Sequence, residues 1–352
     1  MRSYRKPAAV GLGCVVALVA LVATGCSEQA EPAEQADPPD RAARPAPSAT
    51  AAPGTSSPAG TGTAYAPYAS ATDAAGTDSA GSPTTYNLAF VLADGDDCAP
   101  SWDGGHEIGD AAVRSRTARL TQNGAQVRVS FGGASGRELA AVCDSATELA
   151  AAYGTALDAA GATRADFDVE GDELADSASV ALRSKAIALL QKERTDLEVS
   201  FTLPVMPSGL GEDSLALLGS ADDDGVRVAT VNLMTMNYGT SFDGDMGGYA
   251  LTAARAAHTQ LKKVFGTSDK EAWQGMALTS MIGVNDVDGE TFTLADAAEV
   301  RAFAEEKGIG WVSMWSAARD RPCADGSAPD RPATDCSGVR QRPGAFGEAF
   351  AG

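Results

Sequence analysis

Only two histidines, His106 and His258, occur in the 352-residue chain. A Ser-His-Asp triad or a histidine-rich metal site is therefore poorly supplied, and acid–base chemistry has to come mostly from carboxylates. Basic residues are scarce too: 27 Lys and Arg face 47 Asp and Glu, a formal net charge of −20. Nucleic acid and anionic membrane surfaces both require a basic face, so neither is expected as a partner. No CxxC pair is present, which leaves zinc a weak alternative for the cysteines of the main region. A GxGxxG phosphate turn is also lacking; "FGGASG" at 131–136 comes nearest and has the wrong spacing.

The one strongly apolar run lies at the N-terminus. "MRSYRK" supplies positive charge, "AAVGLGCVVALVALVA" is apolar, and "ATGC" leads with small residues to Cys26. This has the build of an export signal and is too short and too rich in Ala and Gly for a membrane span. Its ending resembles a bacterial lipoprotein box, with Cys26 the lipidated residue, although Ala23 stands where Leu is usual. The expected location is extracellular or at the cell surface, with any membrane contact made through that anchor. Residues 27–62 are rich in Pro, Ala, Ser and Glu, hold no aromatic residue, and are expected to be a disordered tether. Four cysteines follow, and an even number in an exported chain suggests two disulfides. Cys323 with Cys336 closes a short local loop and leaves Cys98 with Cys143.

From residue 63 onward, β-type runs alternate with helical stretches. Eight runs can be read, at 64–69, 86–93, 126–131, 165–170, 198–203, 228–234, 276–282 and 309–315. Helices with clear signals separate several of them. "SATELAAAYGTALDAAG" places Ser145 three residues before Glu148 and stops at Gly161, and "TLADAAEVRAFAEEKG" repeats the pattern with Thr293, Asp296 and Gly308. Eight strand–helix units predict an α/β fold of (β/α)₈ TIM-barrel type spanning residues 63–352. "TDAAGTDSAGSPTTY", between the first two runs, is a poor helix, so the first helix is expected to be missing or degraded.

The chemistry centres on "ADFDVEG", residues 165–171. Asp166, Asp168 and Glu170 alternate with Phe167 and Val169. In a strand, the three acids share one face at spacings of about 7 Å. A solvated strand face fits poorly, because a strand internal to an α/β pattern is covered on both sides. A calcium loop of EF-hand type fails at its twelfth position, where Ser177 replaces the bidentate glutamate. An acid–base apparatus at the C-terminal end of a barrel strand fits best: crowded carboxylates share protons, and at least one pKa rises toward neutrality.

These residues carry a family resemblance. Asp166, Asp168 and Glu170 resemble the D-x-x-D-x-D-x-E signature of glycoside hydrolase family 18, the chitinases and endo-β-N-acetylglucosaminidases, with Thr163 replacing the outermost Asp. "VSFGG" (129–133), "NLMTMNYG" (232–239) and "GWVSMWSAARD" (310–320) are similar to three further strand ends of that family. The resemblance implies that Glu170 is the general acid and that Asp168 orients the substrate's N-acetyl group, whose oxygen attacks the anomeric carbon with retention. It implies that Asp166 sits deeper and holds the proton that lets Asp168 turn between partners. No cofactor or metal is implied. Met236 stands in the usual Tyr place and Asn237 in the usual Asp place; Tyr238 is a candidate for the missing hydroxyl.

Trp315, at the end of the last strand, is the candidate sugar platform, and Trp102, in the "CAPSWDGG" loop, is a second. Trp311 is expected in the core and Trp273 at the surface or in helix packing. Met234, Met236, Met281 and Met314 are read as barrel filling, with Met234 and Met236 as possible subsite walls. His106 and His258 are read as loop and helix-surface residues. Only about 26 residues separate "SMIG" from "GIGW", too few for the small inserted domain of deep-groove chitinases. The resemblance therefore implies a shallow cleft and endo-cleavage of chitin or N-acetylglucosamine oligosaccharides. An endo-β-N-acetylglucosaminidase on N-glycans and a non-hydrolytic sugar-binding lipoprotein are the alternatives. Nothing in the sequence bears on oligomeric state, and a monomer is the default expectation.

Overall fold

The computed structural model describes residues 62–324 and 332–352. The export signal, Cys26 and all but the last residue of the tether lie outside the described residues.

Eight parallel strands close into a barrel. We label them β1 (Ala64–Tyr65 and Tyr68–Ser70), β2 (Thr85–Asp94), β3 (Gln126–Gly132), β4 (Arg164–Asp168), β5 (Glu198–Met206), β6 (Val228–Met234), β7 (Met276–Met281) and β8 (Trp311–Trp315). Closure takes place at Pro67. The ring removes the N–H that would continue the ladder, and β1 changes partner there. Ala64–Tyr65 pairs with β8, and Tyr68–Ser70 pairs with β2. Every run read from the sequence therefore becomes a barrel strand, and the segment joining β1 to β2 contains turns and no helix. One expected strand is shorter. β4 ends at Asp168, and Glu170 sits just beyond it, where the chain turns into a short helix at Gly171–Ala175.

Helices cover the barrel at α1 (Ala111–Leu120), α2 (Ala146–Ala160), α3 (Ser177–Glu193), α4 (Glu212–Asp223), α5 (Met246–Phe265), α6 (Leu294–Lys307) and α7 (Ala345–Ala351). Their ends follow the local chemistry. Thr293 and Asp296 form a full capping box, and Gly308 closes α6 in the left-handed region. At α2, Ser145 accepts the Glu148 N–H as expected, while the Glu148 carboxylate meets the serine hydroxyl. Both expected disulfides are present, Cys98–Cys143 and Cys323–Cys336.

Strand alternation divides the barrel into two environments. On β4, Phe167 points outward and stacks on Phe131 at 5.3 Å, with Tyr153 of α2 at 4.9 Å and Phe201 of β5 at 5.8 Å between ring centres. Asp166 and Asp168 point inward, level with Ser200 and Thr202 of β5. The apolar core thus lies between strands and helices, and the barrel interior is polar. Met314 belongs to the outer layer and packs toward the helices, contrary to the reading of it as interior filling. At the bottom, Trp311 is buried beneath the Arg128 guanidinium, 4.7 Å from the ring centre. Trp273 packs against His258 and Phe303. His258 is itself buried rather than on the helix surface, bonded through Nε2 to the Asp269 carbonyl at 3.0 Å.

Phe167 is 1% exposed and is held by three rings. Phe167→Ala should therefore cost about 3–5 kcal/mol of stability. Urea denaturation measures this directly, and a loss below about 1 kcal/mol would show that the outer face of β4 is not packed as described.

Candidate active site

Asp166 is fully buried at the centre of the barrel, and hydroxyls surround its carboxylate. Tyr68 from β1 donates to Oδ2 at 2.9 Å, and Ser130 from β3 donates to the same oxygen at 2.8 Å. Ser200 donates to Oδ1 at 2.6 Å, and the Thr202 hydroxyl lies 2.9 and 3.0 Å from the two oxygens. Asn232 of β6 continues the network, donating to Thr202 Oγ1 at 2.9 Å and accepting from Thr279 of β7 at 2.9 Å. Strands from around the barrel thus meet at one carboxylate or its immediate partners.

Asp168 lies one inward position higher, 4% exposed, and its Oδ1 has no partner. Burial pushes its carboxyl well above the ordinary range, and repulsion from Glu170 and Asp166 adds to that. Glu170 stands half-buried at the mouth. Burial raises its pKa as well, while a hydrogen bond from the Asp168 carboxyl pulls it back. The pair therefore retains a shared proton into a pH range where isolated carboxylates have lost theirs.

The approach of β4 to β3 explains the "SFGG" end. Gly133 N–H donates to the Asp168 carbonyl at 2.9 Å, and a Cβ on Gly132 would collide with that carbonyl. Both glycines have φ of +96°, which side chains disfavour. Behind the acids lies a network of widely separated residues. The buried Arg183 of α3 donates to Glu138 and to Ser179 Oγ, the latter at 3.1 Å, and Ser179 donates to Glu173 at 2.7 Å. Glu173 sits on the short helix after Glu170, so Arg183 ties together the loops on both sides of the acid pair.

The pair opens into a cleft of about 450 Å³. Trp315 forms part of its wall, stacked on Phe90 at 5.5 Å and edge-on to Tyr68 at 5.7 Å. Met234, Met236 and Asn237 also line it, joined by Met206 and Met281. Two expected contacts are absent. Trp102 is 1% exposed, held by a hairpin strand (Asp97–Trp102) against β2, with its Nε1 donating to the Ile108 carbonyl at 3.1 Å. Tyr238 is also buried, packed on Phe242 and Tyr249. Neither lines the cleft. Asn237 adopts the left-handed region, φ +53°, and this turn carries Tyr238 away from the site. Tyr68, Phe90, Met206 and Arg183 escaped the sequence reading. Tyr68 carried a weak signal, an aromatic two residues past Ala66 on the inward face of the first strand; Phe90 and Arg183 carried none.

No family model matches the chain. A probable bifunctional chitinase/lysozyme of Escherichia coli K12 is 36% identical over 259 residues, covering 70% of this chain and 29% of that protein. Endochitinase 11 of Metarhizium anisopliae is 35% identical over 252 residues, covering 68% of this chain and 48% of its own. The chain therefore spans less than half the length of either relative. Among solved structures, the catalytic domain of a hyperthermophilic chitinase from Pyrococcus furiosus superposes with a TM-score of 0.71 at 29% identity. That match covers 81% of this chain and 93% of the other. With the (β/α)₈ barrel and the D-x-D-x-E strand end in place, the chain belongs to glycoside hydrolase family 18.

Asp168 has a raised carboxyl in the folded state, so folding favours its protonated form and stability falls as pH rises above the ordinary carboxylate range. Asp168→Asn removes that cost. The variant should melt a few degrees higher than the wild type at neutral pH, and the difference should vanish below about pH 4, where both states are protonated. Calorimetric melts at four or five pH values test this; a gain that does not depend on pH would assign the effect to packing instead.

Proposed function

We propose that the chain is a chitinase that cleaves β-1,4-linked N-acetylglucosamine chains internally, with retention, using the substrate's own acetamide as nucleophile. The observation that carries this reading is the proton-sharing pair Asp168–Glu170 at the mouth of a cleft walled by Trp315. In this reading Glu170 protonates the glycosidic oxygen as the bond breaks. Asp168, once ionised, accepts the acetamide N–H and steadies the positive charge that develops as the carbonyl oxygen closes on the anomeric carbon. That contact also moves the shared proton onto Glu170, where it is needed. Asp166 stays fixed by its four hydroxyls, and burial, Glu170 and Asp166 together keep Asp168 hard to ionise until substrate arrives. The apolar face of the sugar stacks on Trp315, and Asn237 offers its amide to the acetamide. Met234 and Met236 shape the adjoining wall.

Several further findings support this reading. The curated relatives are named chitinase and endochitinase, and a neighbouring Pyrococcus furiosus structure holds chito-oligosaccharides. Internal cleavage is supported by the short connection after β7: a two-stranded hairpin, Gly283–Val284 with Thr291–Phe292, and then α6. The chain acts outside the cytoplasm, as an exported or Cys26-anchored monomer; the two disulfides support an oxidising compartment.

The test uses the N-acetylglucosamine tetramer, with products followed by proton NMR within minutes of mixing. The β-anomer should form first. First formation of the α-anomer would mean attack by water with inversion and would remove the acetamide route, while no cleavage at all would sink hydrolysis. Glu170→Gln should lower kcat by about 10²–10⁴-fold with tetramer affinity nearly kept; wild-type turnover in that variant would exclude Glu170 as the acid.

A further inference from the structure

The loop that carries Asn237 is held from outside by a residue that none of the site motifs contains. Glu290 lies in the turn of the hairpin after β7, is 1% exposed, and points its carboxylate at the backbone of residues 237–239. Gly239 N–H donates to Glu290 Oε1 at 2.8 Å, and the N–H groups of Asn237 and Tyr238 face the same carboxylate. Three successive N–H groups turn toward this carboxylate, the Gly239 one completing a hydrogen bond, because Asn237 and Gly239 have φ of +53° and +111°. This backbone shape is a concave anion nest. Its occupant is a side chain of the protein itself.

The hairpin end of this contact is rigid. Asn285 donates Nδ2 to the carbonyls of Met281 at 2.8 Å and Gly283 at 3.0 Å, which binds the turn to the top of β7. Glu290 N–H donates to Val287 O at 3.1 Å, and Phe292 is fully buried against Phe346 and Phe350. The nest end is the less supported of the two. Asn237 has left β6, sits in a conformation that costs a non-glycine residue energy, and lines the cleft. A charge-assisted contact to N–H groups is stronger than a neutral one; burial pushes the Glu290 carboxyl up, and the N–H groups of the turn act against that shift. Glu290 Oε2 has no partner, so the buried charge relies on these donors.

We propose that Glu290 is a positioning residue for the site, fixing the Asn237–Gly239 turn so that the Asn237 amide is presented to the substrate's acetamide. The inference rests on the reading of Asn237 as an acetamide contact. Glu290 touches no substrate and acts only through that turn. It also joins two loops of the cleft wall, because Asp286 of the same hairpin lines the cleft together with Asn237.

The experiment compares the full chain with Glu290→Ala, Glu290→Gln, Asn237→Ala and the Asn237→Ala/Glu290→Ala double variant, using the N-acetylglucosamine tetramer. Glu290→Ala should lower kcat/KM about 10–100-fold, the range expected when a reacting partner is misplaced by an ångström or less. Glu290→Gln should restore most of that loss, because its amide oxygen still accepts from the turn. The double variant should be no worse than Asn237→Ala, since both substitutions remove the same contact. Unchanged kcat/KM in a folded Glu290→Ala overturns the proposal, as does an additive double variant or a Glu290→Gln as impaired as the alanine. If Glu290→Ala does not fold, Glu290→Asp carries the test: it keeps the charge but falls one methylene short of the donors, and full activity in it overturns the proposal. Tetramer affinity is measured calorimetrically on the same proteins. An inert wild type would then sink the hydrolytic reading alone, while the affinity ratios still decide the role of Glu290.

Discussion

A carboxylate in the middle of a closed barrel has no access to bulk water, and Asp166 is held there by neutral hydroxyls rather than by a cation. The distinction governs the site. A guanidinium beside Asp166 would offset its charge and remove one of the repulsions that, after burial and Glu170, keep Asp168 protonated. Tyr68, Ser130, Ser200 and Thr202 satisfy the oxygens of Asp166 without removing the charge, so its field still opposes a second anion above it. Arg128 lies lower in the interior, bonded to Asn87 and stacked on Trp311, and attracts Asp166 without touching it. The barrel thus keeps positive charge at its base and a reluctant acid at its mouth. The arrangement also requires closure. Tyr68 reaches Asp166 only because Pro67 lets β1 switch partners between β8 and β2.

The second constraint is the ordering of the loops above the strands. Glu170 lies beyond the last ladder pair of β4, so the sheet alone does not fix it. Arg183 does this from α3, through Glu138 on one side and Ser179 with Glu173 on the other. On the far wall, Glu290 holds the Asn237 turn. In both places a buried charge on a well-anchored element grips a loop that would otherwise be set by its own weak preferences, an economical way to keep reacting groups within a fraction of an ångström.

The barrel was legible in the sequence because strand chemistry is local. Alternation, glycine stops and capping residues fall close together along the chain, and all eight strands were placed to within a few residues. The acid trio was legible for the same reason, being three consecutive inward positions or their continuation. The two disulfides came from parity and loop length. The features that stayed hidden depend on register and on chain reversal. Arg183 and Glu138 are 45 residues apart, and nothing near either marks them as partners. Glu290 reads as one more acid in a polar turn until its hairpin is folded against residues 237–239. Trp102 looked like an exposed loop aromatic because the antiparallel strand that buries it is short and contains proline and charge. Tyr238 was misplaced by a single residue, Asn237, whose left-handed backbone breaks the alternation that would have aimed the next side chains.

The cleft wall bears on how the proposed reaction would use its binding energy. Its aromatic surface is concentrated around Trp315, Phe90 and Tyr68, beside the acid pair, while Met206, Met234, Met236 and Met281 line other parts of the wall. Methionine adapts to many shapes and specifies none strongly. Met206, at 38% exposure, is an exposed large apolar side chain at the rim of this cleft. In the proposed reaction, tight, oriented contact would therefore be available mainly to the one sugar unit whose acetamide meets Asp168. Binding energy realised next to the breaking bond can be coupled to distortion and proton transfer there, whereas energy spread along a polymer mostly tightens its ground state. In the proposed reaction, a site built this way would favour cutting and release over sustained grip on a long chain.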